Sequence, residues 1–322
     1  MADGRAIVSD GVNIYVSRGG GKVDAFTLDG RKLWTADLGG EISSNVVTTS
    51  TGVVVATTGG ANSVLRSLSK ETGVTQWNFG LPAAAEHSVG LIQGNLVVIS
   101  GNGAVQAVDP ANGMAKWKRE IASGFDGTAV FAGDRVLVAS TGKQVFVLSG
   151  MTGDIELLDK REFQPTAFAI VDNSLIVGDE RGNVTSTLLG GAKPTWKLKT
   201  GGKVSFISPH EGQLLISSYD NFVYWVNPAN GSIRWKRRLT GRASSVGVID
   251  SQYLLSAATE DHSAALTELT TGRVAGQIGL TGDEVFVSDP VASKEQIVVL
   301  TPSGPRSFSL KPCAKKESDP GL

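Results

Sequence analysis

The feature that most constrains this chain is a tight turn followed by an aromatic residue, recurring at a fixed interval. Its clearest copy is AVDPANGMAKW, Ala107 to Trp117, in which Asp109, Pro110, Asn112 and Gly113 are turn formers. Proline fixes φ, and an Asn-Gly pair supplies the positive φ that closes a turn. Trp117 stands four residues beyond Gly113, and the same step leads from Gly30 to Trp34, Gly73 to Trp77 and Gly231 to Trp235. From Gly191 to Trp196 the step is one longer, while Gly153 to Leu157 and Gly272 to Gly276 are degenerate copies. Positions 34, 77, 117, 157, 196, 235 and 276 lie 39 to 43 residues apart. A sustained period near 40 residues is the mark of a repeat architecture.

Each repeat reads as β. LIQGNLVVIS (91–100), VFAGDRVLVAS (130–140), IVDNSLIVGD (170–179) and HEGQLLISSYD (210–220) each carry an apolar strand through a short polar turn into a Val/Ile/Leu-rich strand. A third strand follows, as in AVQAVD (104–109), QVFVLS (144–149) and FVYWVN (222–227), and the Gly-to-Trp segment begins a fourth. No convincing amphipathic helix interrupts the pattern, and AAAEH (83–87) is too short to propagate one. Four-stranded repeats of this length build an all-β propeller. Seven full repeats fall at about 5–38, 43–81, 85–121, 123–160, 165–199, 204–239 and 243–280. Strands at 284–290, 296–302 and 306–311 then give an eighth blade without its fourth strand. The reading is one eight-bladed domain over 1–312 and a polar tail over 313–322. Propellers close by removing unpaired edges, and the first blade is already complete from residue 5. A strand preceding Met1, with a leader, is therefore expected.

Composition narrows the function. The chain of 322 residues has a net charge of −1 and 41% hydrophobic residues, so it has material for a core and no basic excess for nucleic acid. Cys313 is the single cysteine, which excludes an internal disulfide and a cysteine-rich zinc site. No apolar run is long enough for a transmembrane helix. The start, MADGRAIVSDG, lacks the layout of a secretory signal, so the chain is read as cytoplasmic or as a mature form without its leader.

The segment Ala107-x-Asp109-x-x-x-Gly113-x-x-x-Trp117 resembles the repeat of the quinoprotein-like, PQQ-type β-propellers. The sixth repeat has Asn227 and the second Ser69 in place of the Asp, and the first is one residue shorter before Gly30. That superfamily holds quinoprotein alcohol dehydrogenases and the BamB-like scaffolds of outer-membrane β-barrel assembly. The resemblance implies that Trp34, Trp77, Trp117, Trp196 and Trp235 dock neighbouring blades, a structural role. It is silent on chemistry, because a fold does not carry an activity. Absence of enzyme signatures and chain size favour the scaffold branch: a non-catalytic, periplasmic or cell-envelope protein with protein partners, an outer-membrane assembly complex among them. A lipid leader would be its membrane anchor. The alternatives are a quinone-dependent dehydrogenase and a ligand- or carbohydrate-binding propeller.

The dehydrogenase branch implies a vicinal cysteine pair and a carboxylate-bound calcium; one cysteine cannot make the pair, and no acidic cluster has calcium-loop spacing. His87, His210 and His262 are scattered, read as loop or surface residues, and match no metal spacing. No GxSxG elbow is present. Gly19-Gly20-Gly21 reads as a hairpin turn, since no helix follows it. No cofactor and no metal site are expected. The basic run Lys236, Arg237 and Arg238, with Arg242 nearby, reads first as a solvated edge strand and second as a surface for an acidic partner. Lys118 and Arg119 repeat its register. Tyr224 and Trp225 face opposite sides of one strand, one toward the inter-blade core and the other toward the next blade or an exposed patch.

Overall fold

The computed structural model describes residues 4–59, 62–83, 86–121, 124–292 and 296–309. Every element among them is a β-strand or turn, and the strands form eight antiparallel sheets in sequence order. Together these sheets make an eight-bladed propeller. Blade 3 shows the plan: His87–Ile92, Asn95–Ser100, Ala104–Val108 and Ala115–Glu120 pair consecutively, from the axis to the rim. The first three strands are largely buried and the fourth is exposed. Up-and-down pairing sorts the connections. Turns between second and third strands share one face with the blade-to-blade links, called here the entry face. The other turns, including every Gly-to-Trp turn, lie on the opposite face.

The core is partitioned by seam. Eight clusters of buried apolar residues each join two consecutive blades. Between blades 3 and 4, Ile99 and Val105 meet Phe125 and Phe146. The last seam closes the ring by packing Ile14 and Val16 of blade 1 on Val298 and Leu300 of blade 8. It holds four buried residues against eleven in the seam between blades 3 and 4.

The repeated motif has a geometric cause. The third and fourth strands slip by one residue just before the tryptophan position, as between Ala107 and Val108 opposite Trp117 and Ala115. The same bulge occurs in all seven four-stranded repeats. A bulge re-aims a side chain. The ring of each Trp lies over the turn glycine of the following blade: a Cβ on Gly73, Gly113, Gly153, Gly231 or Gly272 would fall 2.5–2.7 Å from Trp34, Trp77, Trp117, Trp196 or Trp235. These glycines also hold φ of +69 to +73°, so position and backbone both demand glycine.

Two inner strands depart from the plan. In blade 2 the inner strand is split into Glu41–Ile42 and Val47–Thr48. In blade 8 the strand expected over 284–290 is not formed, and only Val291–Ala292 pairs. Pro290 has no N–H to give a ladder. The segment still follows the sheet, since the Val287 N–H donates to the Leu300 carbonyl at 3.0 Å. Each broken strand is pinned to a neighbouring inner strand. Asn45 accepts from the Val89 N–H at 2.9 Å and donates to its carbonyl at 2.8 Å. Asp289 accepts from the Val246 N–H at 2.9 Å.

Candidate interaction surface

The fourth strands and loops present the polar surface. Lys236, Arg237 and Arg238 lie on Ile233–Arg238, the rim strand of blade 6, and Arg242 lies in the link to blade 7. Strand alternation exposes Lys236 and Arg238 and half-buries Arg237. The four are therefore not one patch. Lys236 stands over the Phe222 ring, 4.9 Å from its centre. Arg242 reaches the entry face, where its guanidinium lies 4.5 Å from the centre of the Tyr219 ring. Lys203 approaches the same ring at 5.6 Å. Tyr219 is 41% exposed. A cation over an aromatic face holds both groups in place, so this trio is a fixed, partly apolar, positively charged knob.

The knob is braced from below. Asp220 accepts from the Gly201 N–H at 2.7 Å, the Tyr224 hydroxyl at 2.5 Å and the Phe222 N–H at 3.1 Å. Burial first, then the Asp220 hydrogen bond and its charge, push the Tyr224 phenol up from its ordinary range. Sequence reasoning singled out Arg242 and missed Tyr219 and Lys203. The available signal was the shared turn position of Tyr219 and the link position of Lys203, which fall on one face only once blades are counted.

The other singled-out residues are placed as follows. Tyr224 and Trp225 face opposite sides and are both buried, so neither forms an exposed patch. Trp225 stacks on Trp235, with centres 5.9 Å apart and planes 11° apart. Lys118 pairs with Glu120 and Arg119 with Asp154, both on the surface. Gly19 to Gly21 form the turn between Asn13–Arg18 and Lys22–Thr27. Two histidines correct the loop reading. His87 opens the inner strand of blade 3 and is 5% exposed, because its Nδ1 contacts the Ser100 hydroxyl at 3.0 Å inside the sheet. Burial lowers its pKa to about 4. His210 ends the inner strand of blade 6 beside Trp225. His262 is exposed and its ring contacts the Glu284 carbonyl. Among the described residues no three His, Cys, Asp or Glu side chains are grouped to hold a metal ion. Cys313 and the tail over 313–322 lie outside the described residues.

Four of the five blade-docking tryptophans donate their indole N–H across a seam: Trp34 to the Lys70 carbonyl, Trp77 to Pro110, Trp196 to Pro228 and Trp235 to Leu269, at 2.7–3.0 Å. The Trp117 N–H is buried without an acceptor. The carbonyl of Gly150 in the next blade accepts instead from Asn95. Two clefts border seams that carry no tryptophan contact. A cleft of about 480 Å³ lies by the seam between blades 4 and 5, with Arg161, Phe163, Asp179 and Lys199 in its wall. Another, of about 380 Å³, lies between blades 8 and 1. There the Asp24 carboxylate is fully buried and meets Arg18 at 2.7 Å, Lys32 at 2.9 Å and the Thr35 hydroxyl at 2.6 Å. Burial works to raise its pKa, but these three partners outweigh it and hold the carboxyl below its ordinary value.

An eight-bladed ring stitched by a tryptophan-on-glycine contact, with a polar rim and two loop faces, defines the class: a β-propeller of PQQ-type repeats. The family model described as outer membrane protein assembly factor BamB matches residues 2–188, more than half of the chain, and the chain belongs to that family. The outer membrane protein assembly factor BamB of Yersinia pestis is 24% identical over 290 residues, covering 83% of this chain and 70% of that one. The crystal structure of BamB from Moraxella catarrhalis superposes with a TM-score of 0.71 at 15% identity, over 96% of this chain and 95% of that one. The computationally designed Ika8 protein superposes at 0.77 with 13% identity, over 96% of each chain. At such identities these two structures speak for the fold alone.

Proposed function

We propose that this chain is a non-catalytic scaffold of the bacterial cell envelope that supports assembly of outer-membrane β-barrel proteins from the periplasmic side. Membership of the assembly-factor family carries this reading. The build of the molecule supports it. Loops on both faces lie outside the seam cores, where change is tolerated, and the entry face offers a braced Tyr219–Arg242–Lys203 knob. Tyrosine and arginine are the residues that most often anchor protein interfaces. Its charge suits an acidic partner surface. Among the described residues no helix is long and apolar enough to cross a membrane.

The test is affinity capture of the tagged protein from the envelope fraction of its own bacterium, with mass spectrometry. Recovery of an outer-membrane β-barrel protein of the assembly machinery is expected, reduced by Tyr219→Ala with Arg242→Glu. Capture that never includes an envelope protein would refute the scaffold role. Unchanged capture by the double variant would move the contact off the entry face.

A further inference from the structure

The seam between blades 4 and 5 is built differently from its neighbours at its entry-face end. Four residues beyond the tryptophan position stand Leu38, Leu81, Ile121, Leu239 and Leu280 in five of the other blades. Each packs into the apolar cluster of its own seam. Blade 4 has Arg161 at this position. The Arg161 side chain is 17% exposed and is held from two directions. Its Nε and Nη2 donate to Asp159, and its Nη1 donates to the Thr185 hydroxyl of blade 5 at 2.7 Å. A guanidinium has five N–H groups, so one on each terminal nitrogen is left over. The cleft of about 480 Å³ opens beside it. Thr185 pairs across strands with Val177 on one side and Lys197 on the other, so these three share the face of blade 5 that forms one wall. Phe163 of the link also lines the cleft, with the Arg181 guanidinium 5.8 Å from its ring centre.

The geometry points to a small organic carboxylate with an aromatic or apolar body as the ligand of this cleft: the acid accepts from Arg161, Thr185 and Lys197, and the body lies against Phe163 and Val177. The two N–H groups left on Arg161 make a fork that matches the two oxygens of a carboxylate. The Thr185 hydroxyl, having accepted from Arg161, still has its own proton to donate. Lys197 has no hydrogen-bond or ion-pair partner among the described residues. Lys199 donates only to neutral oxygens, the Arg181 carbonyl and the Asn183 side-chain amide. The carboxylates nearby are mostly spent. Asp159 is engaged by Arg161. Asp179 is closed by the Arg181 and Asn183 backbone N–H groups and the Asn183 side-chain amide, at 2.7–2.9 Å. Of the lining carboxylates Glu162 alone stands open, exposed on the link. The volume lies in the range of small-ligand sites. This site goes beyond the scaffold reading and does not depend on it, because function lives in sites carried on a fold.

The experiment titrates the purified chain with hydrocinnamate in a calorimeter and reads backbone amide NMR shifts on the same samples. Saturable one-to-one binding is expected, with a dissociation constant on the order of 1 mM or tighter for an acid of this size. Shifts should centre on Arg161, Thr185 and Lys197 and spare the rim strand of blade 3. The neutral amide hydrocinnamamide and inorganic phosphate should each bind about tenfold more weakly or worse. The first lacks the charge and the second lacks the body. Both comparisons leave the protein untouched, so folding does not confound them. Lys197→Gln, an exposed change, should weaken binding of the acid several-fold, and Glu162→Gln should strengthen it. Arg161→Leu, which gives this seam the kind of residue its neighbours use, should abolish binding without lowering the melting temperature. Equal binding of acid and amide, or of acid and phosphate, would overturn the proposal. So would an affinity unchanged in both Arg161→Leu and Lys197→Gln, shifts confined to another seam, or the absence of saturable binding.

Discussion

At the scale of single residues, the tryptophan-on-glycine contact separates two effects that usually travel together. Trp196 and Trp117 occupy equivalent places, but only Trp196 has an acceptor for its N–H. Trp196→Phe loses ring area and a 2.7 Å hydrogen bond to Pro228, an expected cost of about 1–3 kcal/mol. Trp117→Phe removes a buried donor with no partner, so its cost in urea denaturation should be clearly smaller; equal costs would show the hydrogen bond to be worthless. The glycine side gives a second comparison. Gly113 and Gly20 share φ near +70°, but a Cβ meets Trp77 at 2.6 Å in the first case and nothing in the second. Gly20→Ala should cost about 1 kcal/mol, the price of a left-handed backbone, and Gly113→Ala distinctly more. His87 supplies a pH dependence. Its folded pKa, about 4, lies below its unfolded value of 6.5. The unfolded chain therefore binds the proton first, and stability held above pH 6.5 is lost as pH falls toward 4. The loss from this one group is on the order of a few kcal/mol. His87→Asn should flatten the stability curve across that window; parallel curves for variant and parent would disprove the assignment.

At the scale of elements, the rim strands are open edges kept from pairing with other molecules by charge. Lys236 and Arg238 are both exposed on the rim strand of blade 6, and Lys32 sits on that of blade 1. Replacing Lys236 and Arg238 with threonine should leave the melting temperature nearly unchanged and raise light scattering on storage, since cations on an edge oppose strand addition. Unaltered scattering would leave the basic run without that role. The strands themselves were legible in the sequence because period-two alternation and turn chemistry are local. Where local rules failed, the cause was local too. EVFVSDP (284–290) is β-branched and aromatic enough to read as a strand, yet Pro290 withholds a ladder donor and Asp289 turns sideways to the Val246 N–H. His87 reads as a loop residue because nothing in its neighbours announces that the Ser100 hydroxyl waits across the strand pair.

At the scale of the whole molecule, seven blades were legible from the spacing of the turn glycines, and the eighth from the strand pattern after residue 280. The interaction surface was not. Tyr219, Lys203 and Arg242 are separated by up to 39 positions and meet only when blades 6 and 7 stand side by side. Nor could spacing show that the seam between blades 8 and 1 packs Ile14 and Val16 on Val298 and Leu300. That seam carries a smaller apolar cluster than the others, so amides of blade 8 should exchange with solvent sooner than those of blade 3. The same closure has a genetic corollary. Because side chains pack blade 8 on blade 1 as at every other seam, the break in the polypeptide need not sit there. A circular permutant with a linker from Ser309 to Gly4 long enough to run back along one strand, opened instead between blades 4 and 5 where Leu157 replaces the tryptophan, should assemble the same ring with its ends on another side.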